Sequence, residues 1–516
     1  MGLRLISPRW LGLILGVSLA ARIGLALQGG QLFFGDETRY LRGVDLHQAL
    51  LRGDVAGITE VLKWPEHLAF NFINAAVAPL HHALAFLAGR GDWSQPENIY
   101  LSLQFAAVVL GLFSVLNIWL VHRIARAAGA GEGEALWATL LMAASNTLFF
   151  QARHLQPYDC ALTAFLAGIL LGQARGSPGR CLGGGALAAL TFEIYNGYWF
   201  LVPLLLGSLW LAPSSWPERI RATGWWSLGF LGALIVLMLP GVVLGGDHFW
   251  LTLVMFSGSA RQGLFAEGWS LPFEFLWHAE GWAGGVLVAG LLLAVTTAFR
   301  TGVAAPRLRR WLVLLALAWL LPAFFSVVLE KFVVYGRTVR PLIPFACLAA
   351  GWSLHCLASA RPRLAPFMAA LVLAMAVANF APHYLRIFPR DVEMQVLGQY
   401  GMVKRWLSFS GCIYQPLLLP GARPGLALAN AQNLYPVRDY LGYPEGTALF
   451  SVAHPLAYLP YQYEGHTPRE RALLRAHPPA IKLIRLADPA AVPYHPPAHL
   501  LFTEADRADG HDRRGD

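Results

Sequence analysis

Apolar runs separated by short polar segments are the main pattern of this 516-residue chain. A run of about 20 apolar residues can cross a bilayer as a helix, because a helix satisfies its own backbone groups where water is absent. The pattern therefore predicts an all-α polytopic membrane protein with about 11 membrane-spanning helices. The predicted spans are residues 10–27, 99–121, 135–150, 159–174, 183–193, 198–212, 225–244, 282–299, 311–329, 341–360 and 365–381.

Two segments depart from this regular alternation. Residues 28–98 form a long first outer loop, within which the apolar stretch 67–88 is interrupted by asparagine, proline and histidine residues. Such a stretch favours an interfacial or re-entrant helix over a lipid-facing span. Residues 383–516 are the only sizeable hydrophilic region and are predicted to form a small extracytoplasmic α/β domain with a disordered end. The transmembrane domain is therefore predicted to comprise residues 1–382.

Composition and charge agree with a membrane protein. Hydrophobic residues make up 56% of the chain and charged residues 13%, whereas soluble domains carry about 25% charged residues. With eleven spans, the inner loops and the N-terminus hold 14 arginines, and the short outer loops hold five basic residues. This bias predicts an N-terminus inside and a C-terminal domain outside. It also explains the net charge of +9 without a nucleic-acid partner.

Acidic residues near the outer ends of spans are the first candidates for chemistry, because ionisable groups beside hydrocarbon are costly to keep. Asp36 and Glu37 follow the first span, Asp159 opens a later span just after Arg153, and Glu193 lies in a short outer turn. Asp36 and Asp159 are also well placed to cap helices. Capping and catalysis are compatible, because a helix start holds a carboxylate in a fixed position.

Cations near the outer end of a span are the second group of candidates. Lys331, Arg337 and Arg340 lie in one short stretch and are suited to binding phosphate oxygens. The alternative is that their side chains reach from the span to the membrane interface, an interpretation favoured for Lys331. The histidines at positions 67, 81 and 82 are expected at an interface, and their spacing does not favour a metal site.

These motifs resemble a family of membrane enzymes. Asp36, Glu37 and Tyr40 after the first span are similar to the Asp-Glu-x-x-Tyr motif of the polyprenol-phosphate-sugar glycosyltransferases of the GT-C fold. This group includes the protein O-mannosyltransferases and the aminoarabinose transferases that act on lipid A. Arg153 with Asp159 resembles a second motif of the family. Arg337 followed by Pro-Leu-Ile-Pro at 341–344 resembles a third motif of the family, Arg-Tyr-x-x-Pro-Leu-x-Pro. Thr338 replaces the tyrosine of that motif.

The family has a His-Pro-Pro-Leu-Tyr-Tyr motif that this chain lacks. Residues 65–70 have the sequence Pro-Glu-His-Leu-Ala-Phe instead, which leaves the acceptor-side contacts open. The resemblance covers residues 10–382 by topology and does not extend to the hydrophilic region.

The resemblance implies inverting transfer of one sugar from a polyprenyl monophosphate to a lipid, glycan or protein acceptor at the outer face of the cytoplasmic membrane. It implies that Asp36 is the base, that Glu37 positions it, and that Arg337 holds the phosphate together with Arg340 and Lys331. Asp159 would orient the sugar or the acceptor. The candidate catalytic residues are Asp36, Glu37 and Asp159, and the candidate substrate-binding residues are Tyr40, His67, Arg153, Tyr158, Glu193, Lys331, Arg337 and Arg340.

Other functions and a cofactor stay open at this stage. A transporter or lipid flippase would place ionisable residues near the middle of its spans, whereas these candidates lie near span ends. A family relative without catalysis, serving as an assembly subunit, is the third hypothesis. No cofactor is assigned, and a divalent metal between the carboxylates is left open.

Overall fold

The computed structural model describes most of the predicted transmembrane region and three short strands near the C-terminus. The described residues are 9–27, 37, 39–62, 67–89, 91, 102–173, 177–211, 215–243, 271–301, 306–328, 340–385, 426–430, 448–452 and 481–485.

The described part of the chain is mainly helical. Its α-helices, in chain order, are α1 (Arg9–Ala26), α2 (Arg39–Arg52), α3 (Val55–Leu62), α4 (Leu68–Leu87), α5 (Leu103–Ala127), α6 (Glu132–Ala143), α7 (Asn146–Gln151), α8 (Tyr158–Gln173), α9 (Pro178–Ile194), α10 (Leu201–Trp210), α11 (Trp216–Val243), α12 (Leu271–Thr301), α13 (Pro306–Ala323), α14 (Leu342–Ala360) and α15 (Ala365–Leu385). Short 3₁₀ turns at Asn196–Tyr198 and Pro362–Leu364 and a π turn at Phe324–Val328 join some of them.

Several helices have the length and hydropathy of membrane spans, which indicates a multi-pass membrane protein. Among the described residues there are 7 such stretches, and all but the one in α4 overlap predicted spans. They are Arg9–Ala26, Leu68–Leu87, Leu103–Ala127, Trp216–Val243, Glu280–Thr297, Leu342–Ala360 and Pro362–Ala381. The total of about 11 spans stays a prediction.

The stretch in α4 falls in the segment that the sequence assigned to an interfacial or re-entrant position. The helix has 20 residues and continues through Pro79. Its length therefore fits a full span as well as it fits the predicted interfacial position.

The prediction of one helix over residues 135–150 is wrong. Helix α6 ends before Ser145 and α7 begins after it, with the Ser145 hydroxyl accepting a hydrogen bond from the Leu148 amide at 3.4 Å. The apolar pattern continues across this break. A partner distant in sequence stabilises the break, because the carboxylate of Glu280 binds the first amides of α7.

The centre of the bundle is formed by α5, α6, α8 and α14. Helix α6 packs on α14, and α5 packs on both α6 and α8. Small side chains make these contacts close: a methyl group on Gly351 of α14 would lie 2.6 Å from the backbone nitrogen of Ala138 in α6. Backbones that approach in this way are typical of helices packed within membranes.

Helices α9 and α11 also cross with their backbones in close contact. Gly185 of α9 faces the backbone oxygen of Trp226, and Gly229 of α11 faces the backbone oxygen of Leu182. A methyl group on either glycine would overlap the opposite backbone, so only glycine permits this crossing.

The strands β1 (Leu426–Asn430), β2 (Ala448–Val452) and β3 (Ile481–Arg485) form one sheet in the order β1-β2-β3. β1 and β2 are parallel, with Leu426 opposite Ala448. β2 and β3 are antiparallel, with Ala448 opposite Arg485. A parallel pair of strands requires a crossover connection. The α/β domain at 383–516 stays a prediction.

The helix crossing gives a testable prediction. Gly229→Ala should lower the thermal stability of the detergent-solubilised protein, because overpacking a close contact costs about 1–3 kcal/mol. Gly232→Ala, in the same helix, is the matched control, since its methyl group would meet no atom within 4 Å. The gain in helix propensity is the same for both variants. Equal melting temperatures for the two variants would contradict the close crossing.

Candidate functional site

The candidate site is built on the short connection between α7 and α8. This connection carries Arg153, His154 and Gln156, whose side chains are all buried. It is not helical, because Pro157 cannot continue a helix and instead precedes the first turn of α8. Its backbone and side-chain polar groups must therefore find partners on neighbouring elements.

Glu37 binds this connection with both carboxylate oxygens. Its Oε1 lies 2.8 Å from Nδ1 of His154, and its Oε2 accepts a hydrogen bond from the Leu155 amide at 2.9 Å. Glu37 and His154 are both fully buried. Burial lowers the pKa of His154, and the neighbouring Glu37 opposes that shift. The predicted first outer loop is thus attached to the bundle at a defined point.

Asp159 lies at the other end of the connection, in the first turn of α8, and forms a buried ion pair with Arg340. Nη2 of Arg340 donates to Oδ1 of Asp159, and Nδ2 of Asn117 donates to the Asp159 backbone oxygen at 3.1 Å. Thr163 donates in turn to Oδ1 of Asn117 at 2.7 Å. A carboxylate at a helix N-terminus is electrostatically favourable. Asp159 therefore lies within the first turn of the helix, not at the predicted capping position before it, and has a specific cationic partner.

The two predicted groups of charges meet on this connection. Glu37 comes from the segment after α1, whereas Arg340 comes from the residues just before α14. They bind the same stretch, at positions 154–155 and at position 159. The structure therefore brings an acid of the first motif and a cation of the last motif to one short segment.

Tyr40 is fully buried, and its hydroxyl belongs to a hydrogen-bonded chain. The hydroxyl lies 3.0 Å from Nδ1 of His81, and Nε2 of His81 lies 2.8 Å from Oγ of Ser102. Burial raises the pKa of Tyr40 above its usual range. The side chain thereby connects α2 to α4 and to the start of α5.

His67 precedes α4 in a left-handed backbone conformation, with a φ of 56°. Its amide donates to Oδ1 of Asn196 at 3.2 Å, and its Nε2 lies 3.0 Å from the Arg39 guanidinium. Its ring stacks on Tyr195, with a centroid distance of 5.2 Å. His67 is buried, so it joins three elements and is not displayed at an interface as the sequence predicted.

The remaining described candidates lie close to Tyr195. Tyr158 packs edge-on against Tyr195, which packs edge-on against Tyr198. Glu193 is buried near the end of α9, and its Oε1 has no hydrogen-bond partner among the described residues. A buried carboxylate oxygen without a partner is costly and is often retained for function.

Asp36, Lys331 and Arg337 lie outside the described residues. Their predicted roles as base and as phosphate ligands stay predictions. Arg22 of α1 is buried, and its guanidinium donates to the Ser114 hydroxyl at 2.9 Å.

Two buried polar residues of the site were missed by the sequence analysis. His154 is adjacent to a residue that was singled out, and Asn117 is a polar residue inside an apolar helix, which is itself a signal of function or of a buried contact. Neither partner was evident, since Glu37 and Asp159 are distant in sequence.

Within the described part of the chain, no group of three or more histidine, cysteine, aspartate or glutamate residues is arranged to hold a metal ion. Comparison with models of known protein families gives no match, and no curated protein matches the sequence significantly.

The ion pair between Asp159 and Arg340 gives a second prediction. Asp159→Asn should destabilise the protein by about 3–5 kcal/mol, because it leaves a buried guanidinium without its counter-charge. Glu132→Gln is the control, since the Glu132 side chain is 31% exposed in its contacts with Arg126 and His122 and partly exposed pairs contribute about 1 kcal/mol or less. Unfolding in mixed detergent micelles measures both changes. If Asp159→Asn lowers the free energy of unfolding by no more than about 1 kcal/mol, as expected for Glu132→Gln, the buried pair is not important for stability.

Proposed function

We propose that this chain is an inverting glycosyltransferase of the cytoplasmic membrane. It transfers one sugar from a polyprenyl monophosphate to a hydroxyl group of a lipid, glycan or protein acceptor at the outer face. Its N-terminus lies inside and its C-terminal region outside. Membrane lipids surround the bundle, and no nucleic acid takes part.

The observation that supports this proposal most is the shared attachment of Glu37 and Arg340 to residues 154–159. Asp36 is the residue before Glu37, and Arg337 is three residues before Arg340. A base and a phosphate ligand are both needed for direct displacement at the anomeric carbon. The two anchored residues come from the two motifs that would supply these groups.

In the proposed reaction, Asp36 accepts the proton of the acceptor hydroxyl as its oxygen forms a bond to the anomeric carbon. The bond between that carbon and the phosphate oxygen breaks, and the electron pair leaves with the lipid phosphate. Arg337 and Lys331 stabilise the charge that develops there. Attack opposite the leaving group inverts the configuration, and the proton ends on the Asp36 carboxylate.

The contacts of the described residues support this arrangement. Glu37 holds the first motif on the connection between α7 and α8, and the fixed geometry prepares Asp36 for catalysis. Asp159 orients Arg340, whose guanidinium adds positive potential near the phosphate. Arg153, Tyr158 and Glu193 are the candidates for contacts with the sugar or acceptor.

The transporter hypothesis is less well supported by the described residues. It requires an acid that faces a cavity near the middle of a span. Glu280 does line a small cavity together with Ser145 and Cys347. However, it lies at the first residue of the apolar stretch Glu280–Thr297, and both its oxygens bind α7. The carboxylate is thus engaged in a structural contact.

The test is sugar transfer by the purified protein in liposomes, with a panel of radiolabelled polyprenyl-phosphate sugars and a membrane extract as acceptor. Asp36→Asn should reduce transfer at least 100-fold, because loss of a general base typically costs 10²–10⁴-fold. Asp54→Asn is the matched control: Asp54 lies in the same predicted loop and accepts a hydrogen bond from the Gly57 amide. It should retain transfer.

Full activity of Asp36→Asn would exclude Asp36 as the base. A folded wild-type protein that transfers none of the sugars in the panel would favour the non-catalytic subunit.

A further inference from the structure

Glu280 is a buried carboxylate that the proposed reaction does not use. It lies where α12 is kinked, because Gly281 has a φ of 50° and a ψ of −131°. A methyl group on Gly281 would lie 2.8 Å from Oδ1 of Asn379 in α15, and Nδ2 of Asn379 donates to the Glu280 backbone oxygen at 2.6 Å. The left-handed glycine and the asparagine therefore fix the direction of the chain at Glu280.

The Glu280 side chain binds the start of α7. Its Oε1 accepts hydrogen bonds from the Ser145 hydroxyl at 2.9 Å and from the Thr147 amide at 3.1 Å. Its Oε2 accepts one from the Asn146 amide at 2.8 Å. The first amides of a helix lack partners within the helix, and an anion there is favourable. The Glu280 carboxylate of α12 thus supplies the acceptors for the amides at the start of α7.

The other end of α7 leads directly to the site. Helix α7 ends at Gln151, and the following residues include His154 and Leu155, which bind Glu37. Two buried carboxylates therefore hold one segment, residues 145–155. Glu280 binds the beginning of this segment, and Glu37 binds its end.

The segment is packed tightly between these two contacts. Phe149 of α7 stacks on Phe380 of α15, with a centroid distance of 3.8 Å. The Leu148 backbone oxygen accepts from the Ser114 hydroxyl at 3.4 Å. A short buried helix with close neighbours transmits a shift at one end to the other, because packed side chains leave little free volume.

We infer that Glu280 is a positioning residue: it fixes α7, and through α7 it sets the position of His154 and Leu155 against Glu37. Its effect on catalysis rests on the proposed function, whereas its effect on the attachment of Glu37 does not. The proposed base is adjacent to Glu37, so a shift of this attachment moves the base relative to the acceptor hydroxyl.

The first experiment is hydrogen–deuterium exchange of the protein in nanodiscs. In Glu280→Gln, an NH₂ group replaces one of the two carboxylate oxygens and cannot accept from a backbone amide. Exchange of whichever of Asn146 and Thr147 loses its acceptor should therefore become at least tenfold faster. The inference requires that Leu155 also exchanges at least fivefold faster. Glu134→Gln is the matched control, since Glu134 is equally buried but binds Arg307. It should leave Leu155 unchanged.

Faster exchange confined to the start of α7, with Leu155 unchanged, would overturn the inference. If Glu280→Gln does not fold, Ser145→Ala removes one donor to Glu280 and also the acceptor of the Leu148 amide. Exchange at Leu155 should then become faster with a smaller amplitude. In that variant too, unchanged exchange of the Leu155 amide would overturn the inference.

The second measurement is transfer kinetics. Glu280→Gln should lower kcat at least tenfold and change KM for the donor less than twofold, with part of the rate restored in Glu280→Asp. Unchanged kcat together with faster exchange at Leu155 would overturn the positioning role. A wild-type protein without transfer activity would contradict the proposed function, and the exchange result at Leu155 would still test the contact.

Discussion

A non-helical connection inside an apolar bundle is the constraint on which the candidate site depends. Residues 152–157 carry backbone and side-chain groups that water cannot reach, and such groups must be satisfied by the protein itself. Glu37 does this by accepting from the Leu155 amide and contacting His154. The same hydrogen bonds attach the segment after α1 to the bundle, so satisfying the backbone also assembles the site.

Two further buried carboxylates follow the same rule. Asp159 is paired with Arg340, and Glu280 binds the amides at the start of α7. A buried carboxylate is tolerable when it is matched by a cation or by hydrogen-bond donors. Each of these acids joins elements that are far apart in sequence, so the polar contacts determine how the helices are arranged around the α7–α8 connection.

Helices that consist of one long apolar run were predicted well from the sequence. The helices Leu342–Ala360 and Arg9–Ala26 follow from the length of their apolar runs alone. The break at Ser145 could not be predicted, because the apolar pattern is continuous there and Glu280, which stabilises the break, is about 135 residues away. Local sequence carries no information on such a partner.

The sequence predicted several residues of the candidate site but not which of them contact each other. Asp159 and Arg340 were singled out separately, with one expected to orient substrate and the other to bind phosphate. Their pairing depends on how α8 and the start of α14 pack, which spacing along the chain does not determine.

The most direct test of the proposed mechanism is a cryo-electron-microscopy structure of the protein in nanodiscs with a polyprenyl phosphate. We expect phosphate density against the Arg337 guanidinium, with the Asp36 carboxylate facing the same cavity from the other side. Phosphate bound elsewhere, or Arg337 and Asp36 opening toward opposite faces of the membrane, would contradict it.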